Sequence, residues 1–192
     1  MKIFNTLTGQ KEDFRPRGEA VTMYVCGITT YDESHFGHAM TYIIFDVIKR
    51  YLKFKGYKVK PVQNFTDIDD KIIRRAQETG TAWDDVAKRY IASFQEDMAA
   101  LGVPPAQIEP KATEHIPQII ALTQRLIERG FAYQGNADVY FRVRSFDGYG
   151  KLSNRDPEEM DQGEEAGTQS LKEDPLDFAL WKAQKPGEDT AW

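Results

Sequence analysis

Three consecutive stretches between residues 21 and 65 constrain the fold more than anything else in the chain. Val21-Thr-Met-Tyr-Val-Cys26 is rich in β-branched and aromatic residues and reads as a buried strand. From about His38 to Phe54 apolar side chains recur at Tyr42, Phe45, Ile48 and Leu52, with more at Ile43, Ile44, Val47 and Tyr51. This spacing predicts a helix covered on most sides and stopped by Gly56. Lys58 to Phe65 then reads as a second strand. Strand, crossover helix and strand make a βαβ unit, hence a parallel pair with a right-handed connection. Such sheets bind ligands at the carboxyl ends of their strands, which puts Cys26 and Asn64 to Asp67 at one edge.

Three helical stretches follow. Asp69 to Glu78 opens with carboxylates that suit a helix amino terminus. Trp83, Val86, Ala87, Tyr90, Ile91, Phe94, Met98 and Leu101 mark a second amphipathic helix, with Thr81 as its expected cap and Gly102 as its stop. After the Pro104-Pro105 break, Thr113 is expected to cap a third helix with Ile116, Ile119, Ile120, Leu122, Leu126 and Ile127 inward, closed by Gly130. Beyond Gly130 the character changes. Phe131 to Tyr133 and Asp138 to Val143 read as strands joined around Gly135-Asn136, a small antiparallel element. Between Lys151 and Asp174 few residues are apolar, which predicts a mobile acidic loop over about 151–174. Leu176 to Lys182 is apolar again, with no packing partner apparent in the sequence.

The chain's only cysteine, Cys26, and two of its three histidines, His35 and His38, fall within thirteen residues, where the first strand hands over to the first helix. A cysteine ending a buried strand is commonly a small core residue, and two histidines around a glycine also serve as loop or cap residues. Their position favours more: the free N–H groups and dipole at a helix start near Gly37 and His38 suit an anion, and imidazole donors beside them suit phosphates. Asp67, Asp69 and Asp70 could hold a divalent cation or serve as helix caps. His115 reads as a partly buried or surface histidine.

Composition excludes several classes. No apolar run approaches the ~20 residues needed to span a bilayer, and Met1 to Asn5 lacks the regions of a signal peptide, so a soluble cytoplasmic protein is expected. A single cysteine excludes an internal disulfide. The net charge of −5 argues against general nucleic-acid binding, although six Lys and Arg lie between Lys49 and Lys60 and eight carboxylates between Asn154 and Asp174. Both runs read as solvated faces.

With these clusters located, the chain resembles the amino-terminal half of the cysteinyl-tRNA synthetases, class I aminoacyl-tRNA synthetases. The resemblance runs through Lys2 to Thr8, Met23-Tyr-Val-Cys-Gly-Ile-Thr29, Tyr31-Asp32, His35-Phe-Gly-His38, Phe45 to Val47, Asn64-Phe-Thr-Asp-Ile-Asp-Asp-Lys-Ile-Ile73, Tyr149 to Ser153 and Asp174 to Lys182. It implies an α/β, Rossmann-like nucleotide-binding fold whose first half spans residues 1–130, with 131–192 as part of a connective α+β insertion. It also implies ATP-dependent activation of L-cysteine, with Mg on the ATP, and transfer of the cysteinyl group to tRNA(Cys). In the roles it implies, His35 and His38 are catalytic and, with Gly37, bind ATP. Cys26, Gly27, Ile28, Thr29, Thr41, Asn64, Phe65 and Thr66 border the adenylate, and Cys26 is a zinc ligand that selects thiolate over hydroxyl.

Phe36 departs from the usual Ile or Leu of the histidine signature, a tolerable change of apolar volume. The family's other zinc ligands and its lysine loop for pyrophosphate have no counterpart in these residues, and one cysteine cannot build a four-ligand site. The expectation is a portion of a longer enzyme, inactive or nearly so alone. A cysteine ligase of mycothiol synthesis resembles the same half, but usually reads Asp-Pro where this chain has Asp70-Lys71. A non-catalytic nucleotide-binding module is the third reading.

Overall fold

The computed structural model describes residues 1–160, 172–188 and 190–192. The chain divides into two compact units, Pro16–Ile116 and a second that joins Met1–Arg15 to Pro117–Trp192.

The first unit is built on the βαβ pattern. Strand β3 (Ala20–Val25) pairs in parallel with β4 (Lys58–Gln63), in register from Ala20 opposite Lys58 to Val25 opposite Gln63, and helix α1 (Phe36–Phe54) makes the crossover. Past the strands, parallel bridges continue between Thr29 and Thr66, and β4 is joined on its other side by bridges from Val62 to Ile108 and Phe65 to Lys111. Alternation puts Val21 and Val25 toward the core and leaves Thr22 and Tyr24 exposed. The core gathers Val25, Ile28, Tyr42, Phe65, Phe94 and Met98. Phe94 is its hub, edge-on to Tyr42 at 5.0 Å and to Phe65 at 5.8 Å between ring centroids. Burial of each such side chain contributes about 1.5–3 kcal/mol.

Helices α2 (Asp70–Thr79) and α3 (Trp83–Ala100) pack through Ile72, Ala76, Val86, Ala87 and Tyr90. Asp69 caps α2 as the sequence predicts, its side chain accepting from the Lys71 N–H at 2.9 Å. Two other expected caps differ. Helix α3 starts after Ala82 with no side-chain cap, and the Thr81 hydroxyl pairs with that of Thr79 instead. Thr113 opens a short 3-10 turn (Thr113–His115) ahead of α4 (Ile116–Glu128), and its N–H and hydroxyl both donate to the buried carboxylate of Asp67, at 3.0 and 2.5 Å. A buried carboxylate captures the hydroxyl because it needs donors more than the helix needs a cap. His115 is exposed, as expected.

In the second unit β1 (Lys2–Asn5) and β2 (Gln10–Asp13) form an antiparallel hairpin that the short, largely polar sequence does not announce. Strands β5 (Ala132–Gly135) and β6 (Asp138–Phe141) pair antiparallel around Asn136, at φ 56°, as predicted. The apolar stretch after Leu176 does have a partner: β7 (Phe178–Trp181) adds to β6, with Phe178 stacked on Phe141 at 5.2 Å. Behind this sheet Asp177, 1% exposed, accepts from the Val143 N–H, the Asp174 N–H and the Tyr133 hydroxyl.

The compact units do not part at Gly130. Helix α4 groups with the antiparallel strands because its end is tied to them: the Phe131 N–H donates to Leu126, and Arg142 donates to the Gly130 carbonyl. The amino-terminal hairpin joins them through Asn154, whose amide donates to the Thr6 carbonyl. Of the acidic loop expected over about 151–174, residues 161–171 lie outside the described residues. At its described ends Glu158, Glu173 and Asp174 pair with Arg142 and Arg144. The basic run also departs from a simple solvated face. Lys49, 8% exposed, pairs with buried Asp46 at 2.7 Å, and Arg50 reaches both Asp46 and the Gly102 carbonyl. Burial pushes the Asp46 carboxyl up, but these two cations outweigh it and hold the group below its usual range.

Candidate active site

A cleft of about 500 Å³ opens at the carboxyl edge of β3, lined by Cys26 to Thr29, the loop from Tyr31 to His35, and His38, Thr41 and Tyr42 of α1, with Lys71 from α2. The sequence-predicted cysteine and both histidines therefore share one pocket. Cys26 is exposed there, where β3 has ended. Gly27 admits no other residue without rearrangement, because a Cβ on it would lie 1.4 Å from the Asn64 carbonyl oxygen.

His35 is the N-cap of α1, which starts at Phe36, two residues before the start the periodicity suggests. Its Nδ1 accepts from the N–H groups of Gly37 at 3.1 Å and His38 at 3.4 Å, while Nδ1 of His38 accepts from the His35 N–H at 3.3 Å. The rings stack with centroids 3.7 Å apart and planes 14° from parallel. This reciprocal box uses helix-start N–H groups that the sequence leaves free for an anion. It assigns the neutral tautomers in exchange: with both Nδ1 atoms accepting, each neutral ring carries its proton on Nε2. Burial, and then the neighbouring His35, lower the pKa of His38, which favours its neutral form.

The loop leading to His35 is held from outside. Arg75 donates to the Tyr31 carbonyl at 3.2 Å and to Asp32 at 2.7 Å, and Ser93 on α3 donates to Glu33. Lys71 sits 5.2 Å from the Tyr31 ring centroid and brings a cation to the cleft. Lys71, Tyr31 and Tyr42 are cleft residues to which the sequence reading gives no site role. Lys71 lies within the Asn64–Ile73 string, and the helix start after Asp69 is the signal that aims it at this edge.

The other predicted residues fall in two groups. Gly37 lies inside the cap and Thr41 donates to its carbonyl at 2.9 Å. Asn64 accepts from the Gly27 N–H at 2.8 Å, and the Thr66 N–H donates to the Ile28 carbonyl at 3.0 Å. Phe65 is 1% exposed, and its N–H and carbonyl are engaged by Pro110 and Ala112. It supports the edge from behind and has no side-chain surface for a ligand. Among the described residues no three His, Cys, Asp or Glu side chains come together to hold a metal ion. A lone thiol at Cys26 does not fit a zinc ion by itself.

The family described as tRNA synthetases class I (C) catalytic domain matches residues 14–192. The chain belongs to the class I tRNA synthetases. Among these synthetases it is 55% identical to the cysteine–tRNA ligase of Maridesulfovibrio salexigens over 190 residues, 98% of this chain and 39% of that protein. It is 56% identical to those of Thermococcus onnurineus and Pyrococcus horikoshii over 189 residues, 98% of this chain and 40% of each. The chain thus spans about two-fifths of the length of these curated relatives. Two solved synthetases share the fold. One is Agrobacterium radiobacter K84 agnB2 LeuRS in a ternary complex with tRNA and LeuAMS, at TM-score 0.54 and 21% identity over 69% of this chain and 18% of that one. The other is Mycobacterium tuberculosis methionyl-tRNA synthetase with methionyl-adenylate, at TM-score 0.53 and 25% identity over 64% of this chain and 25% of that one. Among the described residues no helix is long and apolar enough to cross a membrane.

Proposed function

We propose that the chain serves ATP-dependent activation of L-cysteine to cysteinyl-adenylate and transfer of the cysteinyl group to tRNA(Cys), carried out in the cytoplasm by the intact protein. One observation carries the reading: the sole cysteine and a stacked histidine pair line one cleft at the carboxyl edge of a parallel pair, in a chain about 55% identical to cysteine–tRNA ligases.

Activation needs no general base, because the substrate carboxylate is already a nucleophile. Its oxygen attacks the α-phosphorus of ATP, and the bond to the bridging oxygen breaks with its electron pair leaving on pyrophosphate. His35 and His38 present Nε2–H donors to the phosphate oxygens as charge develops, and Lys71 adds a cation, a positioning and electrostatic contribution. Gly37 and Thr41 shape the floor, and Gly27, Ile28, Thr29, Asn64 and Thr66 border the adenylate. A terminal ribose hydroxyl of tRNA then attacks the acyl carbon, and AMP leaves. Cys26 faces the substrate side chain and would supply one thiolate ligand to a zinc ion, which needs further donors beside it. Bound zinc supplies a soft acid that favours thiolate over hydroxyl. The antiparallel strands around β6 belong to the connective insertion.

The test is cysteine-dependent ATP–pyrophosphate exchange and tRNA acylation by the intact protein. Exchange with cysteine, none with serine, and acylated tRNA support the reading. Acylation of an amino sugar such as glucosaminyl-inositol, and never of tRNA, overturns it.

A further inference from the structure

Tyr42 and Asn64 grip the two polar groups of a single peptide unit, and we propose that this clamp, with Tyr24 behind Asn64, makes them positioning residues that aim Cys26 at the substrate side chain. The proposal rests on the functional reading above. The Tyr42 hydroxyl donates to the Cys26 carbonyl oxygen at 3.1 Å, and Asn64 Oδ1 accepts from the Gly27 N–H at 2.8 Å. That carbonyl and that N–H lie in one plane. Fixing the plane from helix α1 on one side and from the end of β4 on the other fixes ψ of Cys26, and with it the direction of the Cys26 Cα–Cβ bond.

The clamp acts where the backbone is otherwise freest. Gly27 has the widest conformational range of any residue type, yet it must be glycine because of the 1.4 Å approach of a Cβ to the Asn64 carbonyl. Side-chain hydrogen bonds therefore restore the definition that the missing Cβ gives up. Both grips are themselves anchored. The Tyr42 side chain is 5% exposed and its ring packs edge-on to Phe94 at 5.0 Å, so the hydroxyl has little room to move. The Tyr24 hydroxyl donates to Asn64 Oδ1 at 2.8 Å, and Asn64 Nδ2 donates to Thr66 Oγ1 at 3.4 Å, which together orient the amide with its oxygen toward Gly27. Asn64 thus acts on the cleft through Gly27, and the Tyr42 hydroxyl is directed at backbone.

The experiment uses the intact protein in cysteine-dependent ATP–pyrophosphate exchange. Tyr42→Phe keeps the ring and deletes the hydroxyl. It is expected to raise KM for cysteine roughly three- to ten-fold, the loss of about one hydrogen bond, and to lower the preference for cysteine over serine similarly, with KM for ATP unchanged. Asn64→Asp retains the accepting oxygen and stays closer to the parent in KM for cysteine than Asn64→Ala, whose Gly27 amide also exchanges hydrogen faster. Unaltered KM for cysteine in Tyr42→Phe, or equal rises for cysteine and ATP, overturns the clamp while leaving the functional reading in place. A parent protein with no cysteine-dependent exchange removes that reading and the clamp with it.

Discussion

His35 performs two separable tasks with its two ring nitrogens, and two substitutions pull them apart. Nδ1 accepts from the N–H groups of Gly37 and His38 and caps α1, which leaves the proton of the neutral ring on Nε2 as the donor proposed to serve the cleft His35 lines. An asparagine oxygen reaches the Nδ1 position, so His35→Asn keeps the cap and loses the donor. A glutamine amide nitrogen reaches the Nε2 position, so His35→Gln keeps a donor and loses the cap. Losing an N-cap costs about 1 kcal/mol. Losing a preorganised donor to developing charge costs about 2–4 kcal/mol of transition-state stabilisation, or roughly 30- to 1,000-fold in rate. His35→Asn is therefore expected to unfold in urea close to the parent midpoint while slowing cysteine-dependent ATP–pyrophosphate exchange by that factor. His35→Gln is expected to show the lower midpoint and the smaller loss of exchange. The reverse order refutes the tautomer assignment, and unchanged exchange in both reduces His35 to a helix cap.

The lowered pKa of His38 makes its neutral form a source of stability that is fully present above its ordinary value of 6.5 and is lost as pH falls below that toward the depressed value. Urea unfolding across that range should show the decline, and His38→Gln should remove the component. Gly27→Ala must move the Asn64 backbone and break its bond to residue 27, at a cost of about 2–4 kcal/mol from overpacking and a lost hydrogen bond, measurable by urea denaturation. Cys26→Ser in the intact protein should lower both bound zinc, measured by elemental analysis, and the preference for cysteine over serine. Asp67→Ala strands the Thr113 N–H and hydroxyl that its buried carboxylate accepts, and should destabilise the chain by about 2–4 kcal/mol in the same unfolding assay.

The βαβ unit was legible because β-branched and apolar strand stretches flank a helical one between Val21 and Phe65, and the right-handed crossover leaves one way to fold that order; the cover expected on most sides of α1 does not hold, since Tyr42 and Leu52 are buried but Ile44, Val47 and Tyr51 are exposed. Topology alone then brought Cys26 and Asn64 to one edge. Local capping was not legible in the same way. Thr81 and Thr113 carry good capping hydroxyls, but each found a partner the sequence does not rank, Thr79 in one case and buried Asp67, 46 residues away, in the other. His35 took a cap role usually given to Ser, Thr or Asp, since an unprotonated Nδ1 accepts as an oxygen does. The pairing of β7 with β6 was hidden because the two are separated by 36 residues, and a strand's partner is set by long-range register. Tyr42 reaches the cleft although its place in the apolar pattern of α1 marks it only as a core residue.

The central claim is that residue 26 and the imidazoles of residues 35 and 38 serve one ligand in one cleft. A crystal structure of the intact protein with a non-hydrolysable cysteinyl-adenylate analogue tests it most directly. The account predicts the phosphate-mimicking group within hydrogen-bond distance of an Nε2 of His35 or His38, and the cysteinyl side chain beside Cys26. An analogue bound elsewhere, or one that leaves Cys26 and the histidine pair on opposite sides of unoccupied space, would contradict it.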